Sequence, residues 1–191
     1  MTETETISTK AIKPEKKDMS WTSFFVTLIF IVIFRIYVLE PHNVSGSSMD
    51  DTFKDGDYVI VDKISYRFKN PSKGDVVVFN PPASVENESR FIKRIIAVPG
   101  ETVEVKNNTT LINGSVVPEK FVTYPSSKPA SSTALTGEQY FVMGDNRYVS
   151  FDSRYWGPIE KDEIQGRVLL RLYPFNKIGL FPGVREYTEN K

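Results

Sequence analysis

The sequence predicts a mainly β protein: a single N-terminal transmembrane helix followed by an antiparallel β domain with a protruding β-ribbon. Three observations predict it. Residues 21–39 form one long apolar run. Beyond it come short runs rich in β-branched and aromatic residues, punctuated by Gly, Pro, Asn and Asp. Within these, Asn107-Asn108 and Asn113-Gly114 have the composition of tight hairpin turns, which marks 101–118 as a ribbon.

The first element is the apolar run WTSFFVTLIFIVIFRIYVL. Its 19 residues would make a helix of ~29 Å, about one hydrocarbon thickness. Its apolarity on all sides argues against an ordinary amphipathic helix. Arg35 lies late enough to snorkel, and Trp21 and Tyr37 stand near the two ends as interfacial aromatics do. The run is too long for the core of a cleaved leader, and no small-x-small site follows it, so an uncleaved anchor over 20–39 is expected. Residues 1–19, polar and Thr/Glu/Lys-rich, are expected to be a disordered tail. Lys10, Lys13, Lys16 and Lys17 precede the anchor, while residues 40–57 hold one Lys against Glu40, Asp50, Asp51, Asp55 and Asp57. The positive-inside rule then places the N-terminus in the cytoplasm and residues 40–191 on the outer face of a single-pass membrane protein.

In the outer part, strands are expected at 58–61, 76–79, 91–98, 102–105, 109–112, 139–143 and 168–173. Residues 119–137, rich in Ser, Pro and Thr, read as a long surface loop, so that about 101–137 forms a ribbon-and-loop insertion. No segment beyond the anchor has a helical pattern. The interleaved Tyr, Pro and Phe of 169–181 make that tail a second candidate for lipid contact, with ordinary core strand and loop as the alternative.

Composition narrows the chemistry. The 24 Lys and Arg balance 24 Asp and Glu, which gives no electrostatic case for nucleic acid. The absence of Cys removes disulfides, thiolate metal sites and cysteine nucleophiles. A single His leaves little room for a metal site or a Ser–His–Asp triad. A base, if the chain has one, is expected to be something other than imidazole, and no cofactor is called for.

Three short segments look chemical. Val44-Ser45-Gly46-Ser47-Ser48-Met49 can present a hydroxyl on a Gly turn, although a Ser/Gly linker reads the same way. In Arg90-Phe91-Ile92-Lys93-Arg94-Ile95-Ile96, strand alternation puts Lys93 with Phe91 and Ile95, and Arg94 with Ile92 and Ile96. One of these cations must lie on an apolar face. A desolvated Lys falls from a pKa of ~10.4 by up to ~3–5 units and can accept a proton. An Arg stays charged. The third segment runs from Gly144 to Gly157, where two Asp and two Arg are interleaved with hydroxyl residues. Bidentate Asp–Arg pairs could pin such a loop. It lacks the carboxylates and closing Glu of a calcium loop.

Taken together, these segments resemble the type I signal peptidases, the bacterial Ser–Lys leader peptidases. The resemblance covers nearly the whole chain in order. After the anchor come Gly46-Ser47-Ser48-Met49 as G-x-S-M and Gly56 to Lys63 as G-D-x-V-x-V-x-K. Gly74 to Phe79 follows as G-D-V-V-V-F, then Lys93 to Gly100 as K-R-I-I-x-x-P-G, and Gly144 to Arg154 as G-D-N-R-x-x-S-x-D-S-R. The resemblance implies an antiparallel β peptidase domain over 40–191 that cuts exported preproteins after small-x-small sites. It implies Ser48 as nucleophile, with Ser45 and Ser47 excluded, and neutral Lys93 as general base, with Arg94 not catalytic. Ser150 would orient that base, Asp152, Arg154 and Asp145 would shape the loop, and the Ser48 backbone N–H would bind the oxyanion. The implied partners are preprotein signal peptides, membrane lipid and, by proximity, translocation machinery.

Two positions depart from the family pattern. Asp51 stands where the family has Pro, which leaves the turn after Ser48 less fixed in φ and puts an acid nearby. Gly46 stands where some members have a hydroxyl that helps bind the oxyanion. His42, six residues before Ser48, reads as a surface residue. The rival readings are a self-cleaving repressor-type protease, which would carry a DNA-binding helix-turn-helix, a member that only binds signal peptides, and an anchored β interaction module.

Overall fold

The computed structural model describes residues 20–83, 85, 90–126 and 128–183. The expected tail, 1–19, lies outside the described residues. The chain divides after Ile33 into two units, 1–33 and 34–191.

The first element is α1, Trp21–Tyr37. Its described side chains are exposed and mostly apolar. At 17 residues it is about 25 Å long at ~1.5 Å per residue. Among the described residues no helix is long and apolar enough to cross a membrane. This corrects the expected 19-residue span, 21–39. The helix stops early because Leu39 is drawn into a strand, β1 (Leu39–Asn43), which pairs with β2 (Tyr58–Asp62). The Pro41 and His42 inside β1 had hidden it, since Pro removes a strand donor.

The second unit is mainly antiparallel β, as the sequence predicts. The remaining strands are β3 (Val76–Phe79), β4 (Phe91–Ala97), β5 (Thr102–Lys106), β6 (Thr109–Ile112), β7 (Ser115–Val116), β8 (Ala130–Ala134), β9 (Gln139–Met143), β10 (Ile159–Glu160), β11 (Ile164–Tyr173) and β12 (Gly179–Leu180). One sheet of eight strands runs β1-β2-β11-β3-β4-β9-β10, with β12 on β11, and a second of four runs β7-β6-β5-β8. The ribbon turns form as their residues dictate. Asn107 and Asn108 have φ of 49° and 65°, and Asn113 and Gly114 have 51° and 79°. Two central residues at positive φ are what a two-residue hairpin of right-handed twist requires. The expected loop 119–137 is only partly loop, because 130–134 adds to the ribbon as β8 on β5. Its sequence, Ala-Ser-Ser-Thr-Ala, lacks the apolar alternation that marks a strand, and its side chains are largely exposed. A four-residue helix, α2 (Ser153–Trp156), also breaks the expectation of no helix beyond the anchor.

Strands β3 and β4 sit centrally in the large sheet and are almost wholly buried. Val77, Phe79, Ile95, Tyr140, Val142 and Ile159 form one core cluster. Val44, Met49, Phe53, Val76, Val78 and Ile92 belong to a second. A third joins the ribbon sheet to the end of β4 and β9 through Val103, Val105, Phe121, Ile96, Phe141 and Met143. The middle of β4 is therefore held immobile by packed neighbours, which suits a strand that has to place a side chain accurately.

Candidate active site

Lys93 lies in the middle of β4, opposite Val77 of β3. Alternation had required only one of Lys93 and Arg94 to lie on an apolar face, but both are buried, at 4% and 0% exposure. The reason is that β4 is paired on both edges and covered on both faces. Lys93 Nζ lies 5.1 Å from the centre of the Phe91 ring and 2.7 Å from Ser48 Oγ.

Ser48 is carried by a closed loop following β1. Val44 N–H donates to Asp57 O at 2.8 Å and Gly56 N–H to Val44 O at 2.9 Å, and these bonds close the base. Gly46, with φ +83°, makes the turn, and its N–H donates to Asp55 Oδ1 at 2.8 Å. Residues 45–47 are exposed, but Met49 and Phe53 are fully buried and anchor the far side of the turn. Ser48 is thereby held half-buried between an exposed and a buried segment.

The loop 144–154 comes up against this turn. Asn146 N–H donates to Ser48 O at 3.0 Å. Gly144 lies so close that a Cβ on it would overlap Ser150 Oγ and Ser48 O. No larger residue fits there. Gly144 N–H donates to Ser150 Oγ at 3.2 Å and to Asp152 Oδ2 at 3.1 Å. Ser150, sought as an orienter of Lys93, is buried and sits one residue's contact from the Ser48 carbonyl. Asp152 and Arg154 form a bidentate pair, with Nε to Oδ1 and Nη2 to Oδ2 both 2.8 Å. Asp152 also caps α2 by accepting from Arg154 N–H, while Arg154 Nη2 donates to Arg147 O and Ser150 O. Asp145 pairs with Arg94, Nε to Oδ1 at 2.8 Å and Nη2 to Oδ2 at 2.5 Å, and both side chains are fully buried. Thr52 Oγ1 donates to the same Asp145 carboxylate at 2.5 Å. Asp145 therefore ties the turn of Ser48, the strand of Lys93 and the loop together.

Sequence reasoning had not found several of these residues. Thr52 could have been noticed as a hydroxyl beside the turn of Ser48, and Arg94 was read as one of two cations on the strand but without its partner Asp145. Glu119, which grips Arg147 at 2.6 and 2.8 Å across 28 residues, gave no signal. His42 is not simply a surface residue. With Arg90, Phe91, Val149 and Phe151 it lines a cleft of about 320 Å³ that also contains Ser48 and Lys93. Burial, then the Arg90 charge, holds its pKa below the ordinary histidine value, against the opposing pull of Glu40. Asp51 is exposed at the turn. Among the described residues no cluster of His, Asp or Glu is arranged to hold a metal ion.

A hydroxyl in contact with a buried amine, beside a rigid loop and an open cleft, can act as a nucleophile with its own proton acceptor. Comparison with known proteins gives the family. A family model described as signal peptidase, peptidase S26, matches residues 18–173. A probable signal peptidase I-2 from Synechocystis sp. is 34% identical over 180 residues, covering 92% of this chain and 83% of the relative. Signal peptidase IB of Staphylococcus aureus is 34% identical over 183 residues, covering 85% and 93%. The crystal structure of a signal peptidase I from Enterococcus faecalis is 32% identical with a TM-score of 0.42, covering 52% of this chain and 97% of that one.

Proposed function

The chain belongs to the type I signal peptidases, peptidase family S26, and we propose that it is a membrane-bound serine endopeptidase that removes N-terminal signal peptides from exported preproteins after small-x-small sites. The observation that carries the mechanism is the 2.7 Å approach of Lys93 Nζ to Ser48 Oγ, with Lys93 buried. Lys93, neutral, takes the Ser48 proton as Oγ attacks the scissile carbonyl. The Ser48 backbone N–H meets the developing oxyanion. The Lys93 ammonium then protonates the departing amine, leaving the signal peptide esterified to Ser48. Water attacks the ester, Lys93 accepts its proton, and collapse returns that proton to Ser48 Oγ. This replaces the imidazole of a Ser–His pair by an amine. Ser150 orients Lys93, and Asp152, Arg154 and Asp145 fix the loop against which Ser48 rests.

The exposed apolar side chains of α1, Trp21–Tyr37, support reading that helix as the segment that fastens the chain to a membrane, and the lysines before it support an N-terminus on the cytoplasmic side. Exposed Tyr173, Phe175, Ile178 and Leu180 support a second lipid contact by the tail. Preprotein cleavage by the purified full-length protein in detergent tests the mechanism. Wild type cuts after a small-x-small site, and Ser48→Ala and Lys93→Ala are each inactive. The kcat/KM profile has a limb that rises with pH at a pKa well below ~10.4. Full activity in Lys93→Ala would end the dyad assignment.

A further inference from the structure

The elements that line the cleft differ in chemistry. β1 and the residue before β4 contribute His42 and Arg90, the latter paired with Glu40. The loop 144–154 contributes the wall residues Val149 and Phe151. These two residues occupy two of the three variable positions of the loop motif G-D-N-R-x-x-S-x-D-S-R, so the features that identify the family say nothing about them.

Val149 and Phe151 remain 51% and 44% exposed, with Tyr148 at 75% beside them. Single exposed apolar residues are ordinary, whereas a contiguous group on a fixed loop at the mouth of a cleft is not. This loop is fixed. Arg154 Nη2 donates to the carbonyls of Arg147 and Ser150, on either side of Tyr148 and Val149. Tyr148 N–H donates to Tyr124 O at 3.2 Å. Ser150 and Asp152 point inward and are buried, which leaves Val149 and Phe151 facing out on either side of Ser150. The Phe151 ring is backed by Tyr155 at 5.1 Å, and Lys128 covers Tyr155 from above at 4.6 Å. The apolar surface is thus braced from behind and open toward the cleft.

We propose that Val149 and Phe151 form a specificity lip that receives a large aliphatic or aromatic side chain of the peptide substrate, at a position other than the first and third before the cut. The proposal rests on the peptidase reading and deepens it. The occupant is the substrate itself, because the lip is continuous with the cleft that contains Ser48 and Lys93. An extended peptide alternates its side chains, so a residue neighbouring the small ones can point to this wall while the small ones point to the floor.

The test is a position-scanned set of peptides built on one signal-peptide cleavage site. Phe or Ser is placed singly at each position around the cut, with the first and third before it kept as Ala. Wild type is expected to prefer Phe over Ser by about tenfold in kcat/KM at one of the scanned positions. V149S/F151S is expected to bring that ratio to about unity, and Phe151→Leu to keep most of it. Equal treatment of Phe and Ser by wild type at every position overturns the proposal alone, as does a preference that survives in V149S/F151S. A folded V149S/F151S that cuts neither member of the pair also overturns it, since the residues would then serve catalysis and not selection. A wild type that cuts no peptide overturns the peptidase reading and this proposal with it.

Discussion

Asp145 shows how a single side chain can matter without touching a substrate. Its carboxylate holds Arg94 in a bidentate pair and accepts from Thr52, and the pair is fully buried. Breaking a buried pair leaves an uncompensated charge, which costs about 3–5 kcal/mol. Replacing both partners with apolar residues of similar volume is often neutral. Asp145→Ala should therefore lower the urea unfolding free energy by about 3–5 kcal/mol, and R94M/D145L should recover most of that loss. Cleavage should separate the two roles. In R94M/D145L, Thr52 has lost its acceptor, so the turn of Ser48 is freed and activity should stay low while stability returns. Full recovery of activity in the double variant would show that the network serves folding alone.

At the scale of elements, Arg147 couples the loop 144–154 to β6, through Thr110, and to the segment after β7, through Glu119. Glu119 grips Arg147, whose Nε also donates to Gly144 O at 3.1 Å, and Gly144 lies under the Ser48 carbonyl. Glu119→Ala should cost about 3 kcal/mol and lower kcat. Glu104→Ala, which removes an exposed pair with Lys106 in the same ribbon, should change stability by less than about 0.5 kcal/mol. Equal effects of the two variants on urea midpoints and cleavage would refute the coupling. The elements differ in how much of them the sequence revealed. Strands β3, β4 and β9 were legible as apolar runs because both faces are covered, and β2, β5, β6 and the far end of β11 because β-branched and apolar residues fill the buried face. β8 was not, since an edge strand of Ala, Ser and Thr gains its place by pairing with β5 and buries little. β1 was concealed by Pro41. In the site, alternation left Lys93 and Arg94 as equal candidates for the buried cation, and only the resemblance to the family singled out Ser48 and Lys93. The partners of Arg94 and Arg147 were not legible, because pairings across 51 and 28 residues depend on tertiary structure.

For the molecule as a whole, the shifted groups define how stability should depend on pH. His42 is held below its ordinary pKa by burial and then by Arg90. The unfolded chain therefore takes up that proton first, and stability present above about 6.5 is lost as pH falls from there. Asp62 and Glu40 are held low despite burial, which alone would raise them. Hydrogen bonds from Ser65, Ile64 and Arg167 outweigh burial at Asp62, and those from Arg90 and Lys63 outweigh it at Glu40. Their contribution is present above about 4 and lost as pH falls through their lower folded values. On the alkaline side, burial and then the Asp75 charge push the Tyr66 phenol well above its ordinary pKa. That contribution is whole below about 10 and declines above it, where only the unfolded chain ionises. Urea midpoints should thus form a plateau near neutral pH, with an acid limb in two stages and a separate alkaline limb. His42→Gln should erase the first acid stage and leave the second, and Tyr66→Phe should make the alkaline limb shallower, the remainder coming from Tyr140, which burial also holds above its ordinary pKa. Because His42 lines the cleft, a His42→Gln protein that still loses stability at the first stage would mean that another group titrates there, and the stability of the cleft wall would then have to be assigned to that group.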